Sequence, residues 1–428
     1  MLIDFSVTNY RSILERQTLS MAASSYFKEL EALNTFDVGL ADKVPRLLRS
    51  TVLYGPNASG KSTLIQALNF VQDCILSSQK ESQSGDVIGT VPFKLTANSR
   101  AADSAFEVTF VEQGVRYEYG FCCNRERFTE EWLFAYPLGR AQKWFHRVFD
   151  AKAGKDVYKF SKSFEGDRKR QDWKAQTRSN ALFFSTAIQL NNEQLKPAFA
   201  WFQQRLKVMG SAHNLAAGYT ADRCKDDAIK SRVIEFINSA DLSIADIRLD
   251  ELLFSMEMLP KKLPVAVRDE LVHGMTGKKM PARVTFIHKD IQTQEAIEFD
   301  EGEESDGTRA LFAFAGPWLD VTDNERVLVV DELDTSLHPL LVHHLVKRLH
   351  QNNSKAQIIF TTHDTTLLSQ KLLRRDQVWF MEKDASKATR LYPLSDFSPR
   401  ENEAVERGYL NGRYGGIPFL KELDFYGV

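Results

Sequence analysis

An α/β fold, with a parallel core sheet joined to an antiparallel β region, follows from three observations in the sequence. An apolar run, Leu48 to Tyr54, enters a glycine turn, and helical spacing follows it. A second unbroken apolar run, Val327 to Val330, ends in Asp331-Glu332, as a strand buried on both faces of a parallel sheet would. Between them, residues 104 to 160 hold short runs rich in Phe, Val and Tyr, which predict consecutive antiparallel strands.

Taken in chain order, residues 2 to 9 alternate like a first strand, and residues 22 to 46 read as an irregular loop. Residues 55 to 62, Gly55-Pro56-Asn57-Ala58-Ser59-Gly60-Lys61-Ser62, fit the phosphate-loop pattern at every fixed position. Glycines let backbone N–H groups curl round a polyphosphate, Lys61 reaches the outer phosphates, and the Ser62 hydroxyl holds Mg²⁺. Leu64, Ile65, Leu68, Val71 and Ile75 then recur at helical spacing, so the helix start faces the phosphates. The antiparallel strands turn at sites such as Gln113-Gly114. Residues 161 to 180 are highly charged and predict an exposed loop; its Arg168-Lys169-Arg170, near Phe164 and Trp173, is a weak candidate for nucleic-acid contact. From Ala181 to about Lys207 the spacing is helical, residues 210 to 226 predict a loop, and 227 to 239 a second helix. Asp241 to Leu253 reads as a strand or turn, 258 to 281 as a loop or small lid, and 282 to 299 as a hairpin.

The C-terminal third supplies the remaining candidates. Asp331 ends its strand where ligands bind in open α/β sheets and would act on Mg²⁺ from its outer coordination sphere or through a water; Glu332 is placed to polarise an attacking water. Upstream, Ser305-Asp306-Gly307-Thr308-Arg309 opens an apolar helix, either as an anion-binding helix start or as an ordinary N-cap. Downstream, Ile358 to Thr361 predicts another parallel strand, ending at His363, which can touch a γ-phosphate or its attacking water.

Composition narrows the classes. The chain has 428 residues and a formal net charge of −2, so no global charge favours nucleic acid or membrane. No 20-residue apolar span and no signal peptide are seen, which predicts a cytoplasmic protein. The four cysteines, Cys74, Cys122, Cys123 and Cys224, lack zinc or disulfide-framework spacing and read as reduced thiols. His338, His343 and His344 do not share a helix face, which argues against a zinc site.

The order GPNASGKS, ESDGTRA, VLVVDELDTSLHP and TTHD resembles the ABC-type ATPase heads of SMC and DNA-repair proteins and of the OLD-like family. The opening Phe5-Ser6-Val7-Thr8-Asn9-Tyr10-Arg11-Ser12 is similar to the start of those heads. The LFFST segment at 182 to 186, ADLSIADI at 240 to 247 and GRYGGIP at 412 to 418 resemble the stand-alone RloA-like ATPases of bacterial anti-phage and abortive-infection systems. The resemblance implies an ABC-type head with an inserted helical or lid region. Its parts would be an N-terminal ATPase lobe at 1–180, an insertion at 181–281, a C-terminal ATPase lobe at 282–396 and a tail at 397–428.

It also implies a site completed by a second subunit. Gly55, Asn57, Ala58, Ser59, Gly60, Lys61, Ser62, Thr63 and Arg11 would bind ATP, with Mg²⁺ on Ser62 and Asp331. Ser305 and Gly307 of the second subunit would close on the γ-phosphate, Asp334 would lie across the interface, and Glu332 with His363 would drive hydrolysis. The expected assembly is a homodimer or a larger even-numbered homo-oligomer that controls a separately encoded nuclease or toxin effector and answers to a phage-derived trigger. A DNA-repair or SMC-like ATPase and an OLD-like nuclease are the alternatives. The signature Glu304-Ser305-Asp306-Gly307-Thr308 departs from the usual L-S-G-G-Q, and the glutamine loop has only Gln72, Gln79 and Gln83 as candidates. No long coiled-coil pattern separates the halves. The stretch after His363 is too short for a Toprim nuclease module and holds no D-x-D pair; Glu401, Glu403 and Glu406 read there as a solvated helix face.

Overall fold

The computed structural model describes residues 1–40, 44–211, 217–240, 242–250, 283–335, 337–400 and 403–418. The 258–281 lid, Glu401 and the last ten residues of the tail therefore lie outside the described residues. The chain divides into two units. The first contains 1–210, 321–334 and 342–428; the second contains 211–320 and 335–341.

Strands form where the sequence predicts them at 2–9, 48–54, 104–160 and 327–330, while Gln17–Ser20, Thr35–Phe36 (inside the expected 22–46 loop), Val378–Lys383 and Thr389–Pro393 are strands it does not predict. In chain order the first are β1 (Leu2–Thr8), β2 (Gln17–Ser20), β3 (Thr35–Phe36), β4 (Leu47–Leu48) and β5 (Ser50–Tyr54). The antiparallel run is β6 (Ser104–Glu112), β7 (Val115–Cys123), β8 (Phe128–Tyr136), β9 (Gln142–Asp150) and β10 (Lys155–Phe160). Then come β11 (Leu206–Ser211), β12 (Asp246–Asp250), β13 (Arg283–Lys289) and β14 (Ala296–Asp300). The last are β15 (Val327–Asp331), β16 (Gln357–Thr361), β17 (Val378–Lys383) and β18 (Thr389–Pro393).

In the first unit, one sheet runs β11-β15-β16-β5-β17-β18 and the other β10-β9-β8-β7-β6-β1-β2. Neighbours β15, β16, β5 and β17 are parallel. Their C-terminal ends therefore share one edge. That edge carries the glycine turn after β5, Asp331-Glu332 after β15 and His363 after β16. The fold is thus α/β, a mixed sheet with a parallel centre plus an antiparallel β sheet. The helix Lys61–Ser77 buries Leu64, Ile65, Leu68, Val71 and Ile75, the face its spacing predicted. These side chains join Phe5, Leu19, Leu53, Val329, Ile359, Phe106 and Phe121 in one core that draws on both sheets. Burying each large apolar side chain stabilises by roughly 1.5–3 kcal/mol.

Four local expectations change. The helical run from Ala181 to Lys207 breaks into helices Phe183–Gln189 and Lys196–Ala200 and a π-turn at Trp201–Arg205, then becomes strand β11. The Asn192 side chain accepts from Leu195 N at 2.8 Å and Pro197 opens the next helix, so capping chemistry interrupts the period. The charged stretch 161–180 contains the helix Lys169–Gln176, and Phe164 and Trp173 are buried against each other. Those rings are spent on the core and cannot stack on bases. In the second unit, the expected loop at 210–226 holds the helix Gly218–Arg223, because Thr220 donates to Ala313 O at 2.9 Å and packs where Gly316 leaves room. Finally, Glu406 accepts from Thr365 Oγ1 at 2.9 Å and Glu403 from Tyr414 OH at 2.7 Å, so neither belongs to a purely solvated face.

The LFFST segment also has a physical role. Fully buried Glu131 on β8 accepts from Phe183 N at 2.7 Å and Phe184 N at 2.9 Å. Its carboxylate caps that helix start and ties it to the antiparallel sheet.

Candidate active site

The glycine turn is shaped by what lies behind it. A Cβ on Gly55 would stand 2.3 Å from Met381 O, and one on Gly60 2.3 Å from Thr389 Oγ1. Gly60 also has φ 114, in the left-handed region, so glycine is required there for two reasons. Thr389 Oγ1 donates to Ser59 O at 2.7 Å and lies 2.9 Å from Ser12 Oγ. Ser12 Oγ donates to Thr63 Oγ1 at 3.1 Å, and Lys383 Nζ to Thr389 Oγ1 at 2.9 Å. Strands β17 and β18 and the turn after β1 thus hold the loop from behind.

In front lies a cavity of about 410 Å³ lined by Ser12, Pro56, Asn57, Ala58, Ser59, Gly60, Lys61, Ser62, Thr63 and Glu332. Apart from Gly55 and Arg11, the expected ATP-binding residues all face this one space. Lys61 is only 6% exposed, and its ammonium donates to Gly55 O at 2.6 Å. Burial lowers its pKa below the ordinary lysine value, while the carboxylates of Asp331, Glu332 and Asp334 pull it back up. A desolvated cation beside three acids at a helix N-terminus suits a polyphosphate with a bound cation.

The acids are set by the strand ends. Thr361 Oγ1 donates to Asp331 Oδ1 at 2.7 Å. Glu332 leaves the ladder with φ 51, an uncommon conformation for a non-glycine residue. Asp334 Oδ2 accepts from His363 N at 3.0 Å, and its buried Oδ1 has no hydrogen-bond partner among the described residues. His363 is exposed and lines a second cavity of about 500 Å³ with Gly55, Asn57 and Lys383. The donor set fits Mg²⁺ and ATP: a cradle closed to Cβ atoms at Gly55 and Gly60, a buried ammonium, the Ser62 hydroxyl and the Asp331 carboxylate.

Other candidates stand elsewhere. Arg11 is exposed, and its guanidinium lies over the Tyr10 ring; its neighbour Ser12 reaches the cavity instead. Gln72 donates to Phe202 O and Leu206 O, and Gln79 accepts from Thr186 Oγ1. Ser305 and Gly307 belong to the second unit. There Ser305 Oγ accepts from Thr308 N at 3.1 Å, so it caps its helix, and Gly307 stands in open surroundings. Ser12, Thr361, Lys383 and Thr389 are not among the residues the sequence singles out; Ser12 stands beside Arg11 and Thr361 opens the TTHD segment, whereas Lys383 and Thr389 carry no signal.

The family described as "AAA domain, putative AbiEii toxin, Type IV TA system" matches residues 50–369. The chain belongs to this family. It is accordingly a P-loop ATPase-family domain, and the matched span includes β5, the glycine turn, Asp331, Glu332 and His363. No curated protein matches the chain. Among solved structures, the SMC head domain from Thermotoga maritima aligns with 12% identity and a TM-score of 0.39, covering 92% of this chain and 98% of that one. A structure titled as the SmcHead bound to the C-winged helix domain of ScpA aligns with 12% identity and a TM-score of 0.40, covering 92% and 97%. Among the described residues no helix is long and apolar enough to cross a membrane.

Proposed function

We propose that the protein is an Mg²⁺-dependent ATPase that closes with a second copy of itself around nucleotide and thereby controls a separately encoded effector in a bacterial anti-phage system. The observation that carries the ATPase reading is the single cavity that Lys61, Ser62 and Glu332 share. The backbone N–H groups at the start of the helix Lys61–Ser77 bind and orient the phosphates. Lys61 neutralises their outer charge, and Glu332 orients and polarises water for in-line attack. Ser62 and Asp331 would hold Mg²⁺, which when bound neutralises charge developing on the transferred phosphoryl group.

Closure by a second copy is supported by Asp334, whose buried Oδ1 lacks a partner among the described residues. Ser305 and Gly307 of that copy, with its helix start, offer donors to the terminal phosphate. His363 would act beside Glu332. The family's description, which names a toxin of a type IV toxin–antitoxin system, supports a two-gene setting, with a nuclease or toxin as partner.

The test is hydrolysis measured together with size. The wild type should release phosphate from ATP only with Mg²⁺. Glu332→Gln should bind ATP, lose about 10²-fold or more in turnover, and run as a stable larger assembly with ATP in light scattering. Unchanged turnover in Glu332→Gln would remove that residue from the chemistry.

A further inference from the structure

We infer that Thr361 is the positioning residue that sets both acids at the end of β15, fixing Asp331 for the cation and Glu332 for the water. The inference rests on the ATPase reading and extends it to Thr361, which opens the TTHD segment but to which the resemblance assigns no role.

Thr361 is the last residue of β16 and is 0% exposed. Its strand is buried along its whole length, with Ile358, Ile359 and Phe360 preceding it. An aliphatic side chain of the same shape would suit that position, as Val330 does on the adjacent strand. A hydroxyl enclosed there must find partners, because a buried unpaired polar atom is unfavourable. Both partners it finds lie in the acid turn. It donates to Asp331 Oδ1 at 2.7 Å and accepts from Glu332 N at 2.6 Å. Its backbone carbonyl accepts from Leu333 N at 3.1 Å. Thr361 thus holds three consecutive residues.

The geometry explains why such a clamp is needed. Val330 still faces Phe360 in the β15–β16 register. One residue after Asp331 the chain departs, with Glu332 at φ 51. A left-handed glutamate persists only when its surroundings hold it. The Thr361 hydroxyl binds the Glu332 N–H on one side. On the other its proton occupies one lobe of the Asp331 carboxylate, which leaves Oδ2 for a cation or its water. One hydroxyl therefore sets the distance between the cation acid and the water-polarising acid.

Thr361→Val keeps the β-branched shape and removes the hydroxyl; Thr361→Ser keeps the hydroxyl and removes a methyl. In the full chain, Thr361→Val should lower kcat about 10–100-fold with KM for ATP little changed. The Mg²⁺ concentration for half-maximal binding of a fluorescent ATP analogue should rise about tenfold. Thr361→Ser should restore most of both. The inference is overturned if Thr361→Val retains the wild-type kcat and Mg²⁺ requirement, or if Thr361→Ser is as impaired as Thr361→Val, which would make packing the cause. Should Thr361→Val fail to fold, Thr361→Ala carries the same expectation in the same titrations. A wild type that binds nucleotide without hydrolysing it sinks the ATPase reading instead, and the Mg²⁺ titration still decides the role of Thr361.

Discussion

Lys61 shows how a single residue is prepared for an anionic ligand. Its ammonium is withdrawn from water and rests on the carbonyls of Gly55 and Pro56. Burial disfavours the charge, as the downward direction of its pKa records. A triphosphate would return what burial removes. Lys61→Ala should therefore abolish detectable ATP binding by calorimetry, while the melting temperature without nucleotide should not fall, since a poorly solvated charge is removed. A large fall in that temperature would assign Lys61 a structural task. Gly60 works at the same scale: its missing side chain lets Thr389 hold Ser59 O from behind the loop.

At the scale of elements, β5 is held by a polar device within the parallel sheet. Gln377 Nε2 donates to Ser50 Oγ at 2.8 Å. Ser50 Oγ also shares a hydrogen bond with His350 Nε2 at 2.8 Å. Burial, aided by Arg49, pushes the His350 pKa from 6.5 down to about 3. A histidine depressed in the folded state contributes stability that is fully present above the unfolded value. That contribution is lost as pH falls from 6.5 toward 3, because the unfolded chain binds the proton first. Between pH 6.5 and pH 5 the loss should be about 2 kcal/mol at 1.36 kcal/mol per pH unit. Urea unfolding at both pH values checks this, and His350→Gln should flatten the difference. An undiminished difference in that variant would place the acid sensitivity elsewhere.

At the scale of the whole molecule, the site in the first unit has a phosphate cradle, two positioned acids and a buried Asp334 oxygen with no partner among the described residues. Ser305 lies in the other unit, at the tip of the helix Asp306–Asp323. The proposed closure by two copies therefore makes a prediction about assembly. In a Glu332→Gln background, Ser305→Arg should leave ATP affinity within a few-fold of the parent yet prevent the ATP-dependent increase in size seen by light scattering. An assembly that still forms would show that Ser305 takes no part in closure.

The sequence by itself determined the parts whose chemistry is local. The turn from Gly55 to Ser62 must be glycine-rich to bring backbone N–H groups to a phosphate. The helix after it repeats its apolar residues every three or four positions, and the run before Asp331 has no polar face. Each can be read because its cause lies within a dozen residues. The tertiary structure alone decided what depends on distant partners. Thr361 opens the TTHD segment, but its task is not legible until β16 lies beside β15 and its hydroxyl meets two groups of the acid turn. Thr389 and Lys383 brace a loop more than three hundred residues away in the chain. Leu206–Ser211 ends a helical pattern as a strand because a sheet edge offers it hydrogen bonds, and pairing of that kind outweighs local propensity. Phe164 and Trp173 resemble an exposed aromatic pair in the sequence but close a core. Their burial depends on neighbours that local spacing does not encode.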